Sequence, residues 1–508
     1  MSRLMIGWAE ESITPNGKFA LVGQFAERIS EYVEKPLTAT SMAVECDGEQ
    51  AIFCALDLIN ATWMLRDLIL KRVAKLSDEI DASKVIVSAI HTHTGPGYVG
   101  RGVDASYKYT KDMVNGSSGS VHTLLERYLP SGKKYVEREK VKDNPDVLSV
   151  EEITETIVNG AARSIVTAWN KRKPSGFANA FGRAAVGMCR RATYRDGSAA
   201  MWGDTNRDDF ESVEGGSDTG IELLYVFDER KKLTGIVANL ACPAQCVQHR
   251  LFISPDFWGE TKKLIRDRFG KDVFLLTLCS AAGDQCPVDI VRWVEPESDV
   301  HDPNIERPHP LKRKADPSMF DLAGMKLAGR RVANEIIGVF EDGLDELQTD
   351  ASLEHRVCDL DLPLRLASKE DETKAEKAIR EYLAAKEGDV DYNDAAKLQV
   401  YLGTLKRAEL QKVTKKVEIR CHFIKLGTVA FATNPFELFL DYGNKIKARS
   451  RAEQTFLIQL ADGAEGYLPT AKAEKGGHYS AFISSGIVGH EGGERLVDVT
   501  LKNLNEMF

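Results

Sequence analysis

Residues 42–90 constrain the fold more than any other stretch. In MAVECDGEQAIFCALDL (42–58), apolar runs flank the turn pair Asp47-Gly48, which predicts two strands around a tight turn. LRDLILKRVAKL (65–76) repeats its apolar residues at helical spacing. SKVIVSAI (83–90) is a short apolar run that reads as a buried strand and leads into His91. Strand, helix and strand in that order predict a sheet covered by helices. VEEITETIVNGAARSIVTAW (150–169) predicts a helix ended by Lys173-Pro174. GIELLYVFD (220–228), LTGIVANLAC (233–242), DVFLLTL (272–278) and IRCHFIKLGTVAFATNP (419–435) continue the strand pattern, and Asp256 caps a helix FWGETKKLIRDRF (257–269). The fold class expected is α/β, mixed sheets covered by helices, in one catalytic domain over 1–508. No tandem repeat and no long linker divides it.

Three segments interrupt this pattern. Residues 98–146 are rich in Gly, Ser, Lys and Tyr and are expected to be a loop or lid. Residues 293–317 are rich in proline and charge and read as a loop. Residues 368–415 are highly charged and predict a solvated helical hairpin inserted in the domain.

Charge and composition exclude several functions. Lys and Arg number 67 against 76 Asp and Glu, a net charge of −9, which leaves no electrostatic footprint for nucleic acid. No run of about 18 apolar residues predicts a transmembrane helix. The apolar run Leu4 to Ala9 stops at Glu10 and Glu11, too short for a secretory signal, so a cytoplasmic protein is expected. Nine cysteines, mostly inside apolar strings, read as reduced buried thiols. Cys242 and Cys246 have no second pair at zinc-finger spacing.

Four places can carry chemistry. His91-Thr92-His93-Thr94-Gly95-Pro96-Gly97 follows a buried strand, where sheet enzymes place ligands. In an extended segment His91 and His93 point to one side, to bind a metal or to bind it and move a proton. CSAAGDQCP (279–287) offers a tight turn, with Asp284 able to orient a histidine and Cys286 a potential nucleophile. His249, after Gln245-Cys246-Val247-Gln248, is a further imidazole. Glu437 in Asn434-Pro435-Phe436-Glu437 is a carboxylate at a strand end. Each also has a plain structural reading as a loop, turn or surface residue.

Together these pieces resemble one family. HTHTGPG resembles the HTHSGPGG motif of the neutral/alkaline ceramidases, and CSAAGDQCP resembles their Gly-Asp-Val-Ser-Pro turn. GWAEESITP (7–15), NPFELFLDYGNKIKARS (434–450) and AEGYLPTAKAEKGGHYSA (464–481) resemble three further family segments, in the same order. VANLACPAQCVQHRLFISPDFW (237–258) and VGMCRRATYRDGSAAMWG (186–203) are closer to shorter bacterial ceramidase-like proteins. No counterpart of the family's C-terminal Ig-like β domain is expected.

The resemblance implies an amide hydrolase with one zinc ion. It implies His91 and Glu437 as metal ligands, with His249 replacing a family histidine that would fall near Pro243. It implies His93 as the proton handler and Arg190, beside Arg191, facing the substrate, with Tyr467 and Tyr479 as the two late tyrosines. The family's zinc-ligating tyrosine falls on Gly466, so His478 or water would complete the set. Cys286 stands at the family serine. The reaction expected is hydrolysis of an N-acyl or related bond in a small-molecule or lipid-like substrate. The alternatives are a zinc enzyme acting on a small sugar-like molecule by hydrolysis or elimination, a cysteine-nucleophile amidase, and a binding protein that has lost its chemistry. A homo-oligomer is compatible with all of them.

Overall fold

A computed structural model describes residues 4–24, 28–100, 121–136, 146–291, 320–345 and 347–508. Twelve main strands and eight main helices carry the architecture. In chain order they are β1 (Met5–Ser12), β2 (Thr38–Cys46), β3 (Glu49–Leu56), α1 (Trp63–Leu76), β4 (Val85–Ala89) and α2 (Val150–Asn170). Next come β5 (Lys173–Arg183), β6 (Gly220–Asp228), β7 (Leu233–Leu240), α3 (Phe257–Phe269), β8 (Phe274–Cys279) and α4 (Asp321–Asp342). The last are β9 (Leu353–Pro363), α5 (Lys369–Ala385), α6 (Gln399–Val413), β10 (Lys416–Leu426), β11 (Val429–Thr433), α7 (Leu440–Arg449), β12 (Gln454–Ile458) and α8 (His490–Asn505).

One plan occurs three times. β1, β2 and β3 pair antiparallel in turn, and β3 pairs parallel with β4 across α1. β5 to β8 repeat this pairing across α3, and β9 to β12 repeat it across α7. A closing helix completes each copy: α2 packs on α1, α4 on α3 and α8 on α7. The copies share no visible sequence period, so the absence of a tandem repeat holds for the residues and fails for the topology. Burial side and pairing partner can be specified by many residue combinations, and unequal loops between strands erase the spacing.

The three sheets face one another around one core and carry their helices outside. β3 shows the division: Ile52, Cys54 and Leu56 face α1 and α2, while Ala51, Phe53 and Ala55 enter the shared core. Val237 and Phe431 enter it from β7 and β11, while Ala238 and Ala432 turn to their own helices. A period of two with both faces covered explains why these strands read as unbroken apolar runs. Each large side chain so buried contributes about 1.5–3 kcal/mol. The first two sheets also join edge to edge, where Met5 and Ile6 meet Pro174 and Lys173. α2 therefore ends at Asn170, and Lys173-Pro174 opens a strand as well as ending the helix.

Local signals set the helix starts. Ser149 and Glu152 form a capping box at α2, and the Asp256 carboxylate accepts from Phe257 N at α3. Residues 368–415 are helical, and α5 and α6 bury Ile379, Leu383 and Leu402 in a small core of their own. This core takes in Leu124 and Leu125 of the short helix Val121–Glu126, so the described part of 98–146 is packed structure. The rest of that expected lid, 101–120 and 137–145, lies outside the described residues, as does the expected loop 293–317. No helix among the described residues is long and apolar enough to cross a membrane.

The pairing pattern makes the first, third and fourth strands of each copy run the same way. Their C-terminal ends converge with those of the other copies. Ala244 N donates to Ile90 O at 3.2 Å, Gln459 N to Cys279 O at 3.0 Å and Asp462 N to Val87 O at 2.9 Å. A buried polar chain reinforces the last of these. Arg66 Nε lies 3.1 Å from Asp462, Asp462 lies 2.8 Å from His422 Nε2, and His422 Nδ1 lies 2.9 Å from His355 Nε2.

Candidate active site at the strand ends

His91 leaves the end of β4 with φ of +67°, a left-handed conformation that few non-glycine residues adopt. The segment is therefore not extended, and the two rings meet for another reason: the left-handed turn brings His93 edge-on to His91, with centroids 4.9 Å apart. Nδ1 of His91 lies 2.8 Å from Ile59 O. A carbonyl can only accept, so Nδ1 carries a proton and Nε2 is the ring atom left to face the site. That Nε2 lies 3.5 Å from Glu437 Oε2.

His93 is buried, and its Nε2 has no hydrogen-bond partner among the described residues. Burial, then the neighbouring charges of His91, Arg28 and Arg190, push its pKa well below the usual histidine value, so the ring is neutral. Arg28 holds the loop by donating to His93 O and Val22 O, both at 2.7 Å.

Glu437 is placed by the Gly-Asp turn of the second copy. Gly283 N donates to Leu438 O at 2.8 Å, and Gln459 Oε1 accepts from Ala282 N and Leu438 N, both at 3.0 Å. The packing is tight enough that a Cβ at Gly283 would lie 2.3 Å from Glu437 O. The Asp284 carboxylate accepts from Leu440 N at 2.9 Å, and burial pushes its pKa up to about 6. It thus caps α7, and the histidine partner expected for it is replaced by a helix terminus. Glu437-Leu438 pairs parallel with Tyr467-Leu468, which sets Tyr467 beside Glu437.

Arg190, Tyr467 and Tyr479 form a relay over this pair. Arg190 Nη2 donates to Gly283 O at 3.0 Å and to Tyr467 OH at 3.4 Å, and among the described residues its Nε has no partner. Tyr467 and Tyr479 share a hydrogen bond, and their rings lie 5.5 Å apart. Burial opposes the Arg190 charge, but Tyr467, Cys286, Glu437 and Tyr479 outweigh it, and the pKa is raised. Arg191 does more than neighbour Arg190. It is fully buried, pairs with Glu214 at 2.6 Å and donates to Gly477 O and Tyr479 O at 2.8 and 3.0 Å. The paired arginines and Glu214 were the only sequence signal of this anchor.

His249, His478 and Cys286, also expected at the site, each have a local partner. His249 Nε2 lies 3.3 Å from Asp321, and its ring stacks on Phe320 at 4.5 Å. His478 Nδ1 accepts from Met201 N at 3.0 Å. Cys286 is buried, its thiol donates to Val288 O at 3.1 Å, and burial raises its pKa to about 12, so it holds no thiolate at neutral pH. Among the described residues, no group of three His, Cys, Asp or Glu side chains is gathered as a metal site.

His91 and Glu437 alone nonetheless suit one edge of such a site. Two ligands bonded at about 2.0–2.2 Å to one tetrahedral ion lie about 3.4 Å apart. The observed 3.5 Å matches, and the backbone bond to Nδ1 is the kind of support that orients a ligating histidine.

No family model matches the chain, and no curated protein matches its sequence. Solved structures do match. Neutral ceramidase from Pseudomonas aeruginosa aligns over 100% of this chain and 75% of its own, with a TM-score of 0.65 and 15% identity. The chain has the neutral ceramidase fold. A structure described as ceramidase complexed with C2 aligns over the same shares, with a TM-score of 0.66 and 14% identity. At such identities this ceramidase-like architecture is common ground, and the chemistry has to be argued from the site.

Proposed function

We propose that this ceramidase-like protein is a metal-assisted hydrolase that cleaves an N-acyl bond. One observation carries the reading: His91 Nε2 faces Glu437 Oε2 across 3.5 Å, at the meeting point of three sets of strand ends. His91 and Glu437 would hold a single zinc ion. When bound, such an ion supplies Lewis acidity and brings the pKa of water from 15.7 to about 7.

The chain's own residues divide the remaining work. His93, neutral and unpartnered at Nε2 among the described residues, takes a proton from the attacking water and returns it to the leaving amine. Arg190, charged and buried, offers Nε toward charge that develops on the carbonyl oxygen. Tyr467 holds Tyr479 in place for a second donor, and Arg191 fixes the backbone that carries Tyr479. His249, paired with Asp321, positions its loop in this scheme, and Cys286 packs without attacking.

Metal content and amidase rate test the assignment. His91→Ala and Glu437→Gln are expected to lose both zinc and activity. His93→Gln is expected to keep zinc and lose about 10²–10⁴ in rate. Equal zinc content in all three variants would refute it.

A further inference from the structure

A cavity of about 260 Å3 opens beside Tyr479. One wall is a single face of α6, where Val400, Lys406, Arg407 and Leu410 succeed one another at helical spacing. The opposite wall is the loop after Tyr479 and includes Ile487. The walls come close because residue 403 is glycine: a Cβ there would lie 2.5 Å from that of Ser484. Tyr479 is half-buried and belongs to both the cavity and the Glu437 site.

The location follows from the threefold plan. In each copy the connection between the first two strands rises over the converging strand ends. In the first copy it carries Arg28, which grips the His93 loop, and in the second it carries Arg190. In the third it holds α5 and α6, and so supplies Lys406 and Arg407.

The cavity is electrostatically one-sided. Among the described residues lining it there is no Asp or Glu. Arg407 is buried and donates to the carbonyls of Arg365, Gly486 and Ile487. Lys406 is exposed at the rim and makes no hydrogen bond or ion pair with the described residues, although α5 pairs Lys369 with Glu372 and Lys374 with Glu370. An ammonium without a counter-ion among the described residues, above walls of Val400, Leu410 and Ile487, suits a short apolar arm that ends in an anion.

We propose that this cavity is a substrate subsite for such an arm and that Lys406 is its specificity-determining residue. The arm ends in a carboxylate or a group of like charge. This rests on the hydrolase reading above, and the test separates the two. Matched amides are compared: N-glutaryl against N-pentanoyl para-nitroaniline for the acyl arm, and N-acetyl-aminocaproate against N-acetylpentylamine for the amine arm. The intact protein is expected to favour the anionic member of one pair about tenfold in kcat/KM, the scale of one charge-assisted hydrogen bond. Lys406→Ala abolishes that ratio and Lys406→Glu inverts it. A ratio near one in both pairs, or a ratio unmoved by Lys406→Glu, overturns the proposal. If none of the four amides is cleaved, the hydrolase reading falls and calorimetric binding of the same compounds decides the subsite. Anion-selective binding weakened about tenfold by Lys406→Glu supports it, and equal or undetectable binding overturns it.

Discussion

Gly283→Ala tests whether the second copy of the fold sets the carboxylate of the third. Gly283 is not in the left-handed region, so alanine brings no backbone strain and only a methyl group. That methyl would lie 2.3 Å from Glu437 O and 2.8 Å from Glu437 C. Real Cβ contacts essentially never fall below 3.0 Å, so the Glu437 backbone must retreat by at least 3.0 − 2.3 = 0.7 Å. Overpacking of this kind costs about 1–3 kcal/mol of stability. A catalytic group displaced by about 1 Å can lose 10²-fold in rate. The expected outcome is therefore a folded protein with zinc affinity reduced and kcat lowered roughly 30- to 100-fold. Thermal melting, zinc titration and amidase kinetics on one preparation read all three. Gly338→Ala in α4 is the control, since nothing lies within 4 Å of its added Cβ. It should gain about 0.5–1 kcal/mol and keep full activity. Full activity and unchanged zinc affinity in Gly283→Ala would refute the claim that this turn positions Glu437.

Two further predictions concern buried charge. Arg191→Met leaves Glu214 buried without its partner and is expected to cost about 3–5 kcal/mol in chemical denaturation, part of which Glu214→Gln restores in the double variant. A loss below about 1 kcal/mol would show that the pair does not anchor residues 477–480. His355 has its pKa lowered from 6.5 to about 3 by burial and by His422, so the unfolded chain binds a proton that the folded one refuses. The stability this group contributes is present above pH 6.5 and is lost as pH falls toward about 3. His355→Gln should flatten that part of the acid-denaturation curve, and an unchanged slope would count against the assignment.

The local elements were legible because periodicity and capping residues write them directly. The β2–β3 turn at Asp47-Gly48, the α1 face and the Asp256 cap all appear where the sequence pattern places them. Strand order was not legible, because pairing is a long-range choice that apolar runs leave open. β5 shows this: KPSGFANAFGR reads poorly as a strand, yet its residues 175–183 pair with β6 along the whole of that strand. The site was legible by resemblance at His91 and Glu437, which the structure sets face to face. The left-handed turn at His91 carries only a weak residue-type signal, since histidine enters that region more readily than most non-glycine residues but lies outside it far more often. His249 is the nearest imidazole along the chain to the family position, and only the structure shows that Asp321 and Phe320 come to it from the start of α4.

The three copies divide the molecule into a part that resists change and a part that invites it. The strand tips lock one another through backbone bonds, so an insertion among them would disturb all three copies at once. The connection after the first strand instead lends side chains to the site, Arg28 in the first copy and Arg190 and Arg191 in the second. In the third copy it has grown into a helical annex with a hydrophobic centre of its own. On the subsite proposed above, selectivity would drift by remodelling that annex while the reacting groups keep their spacing, much as a lock is rekeyed without moving its bolt.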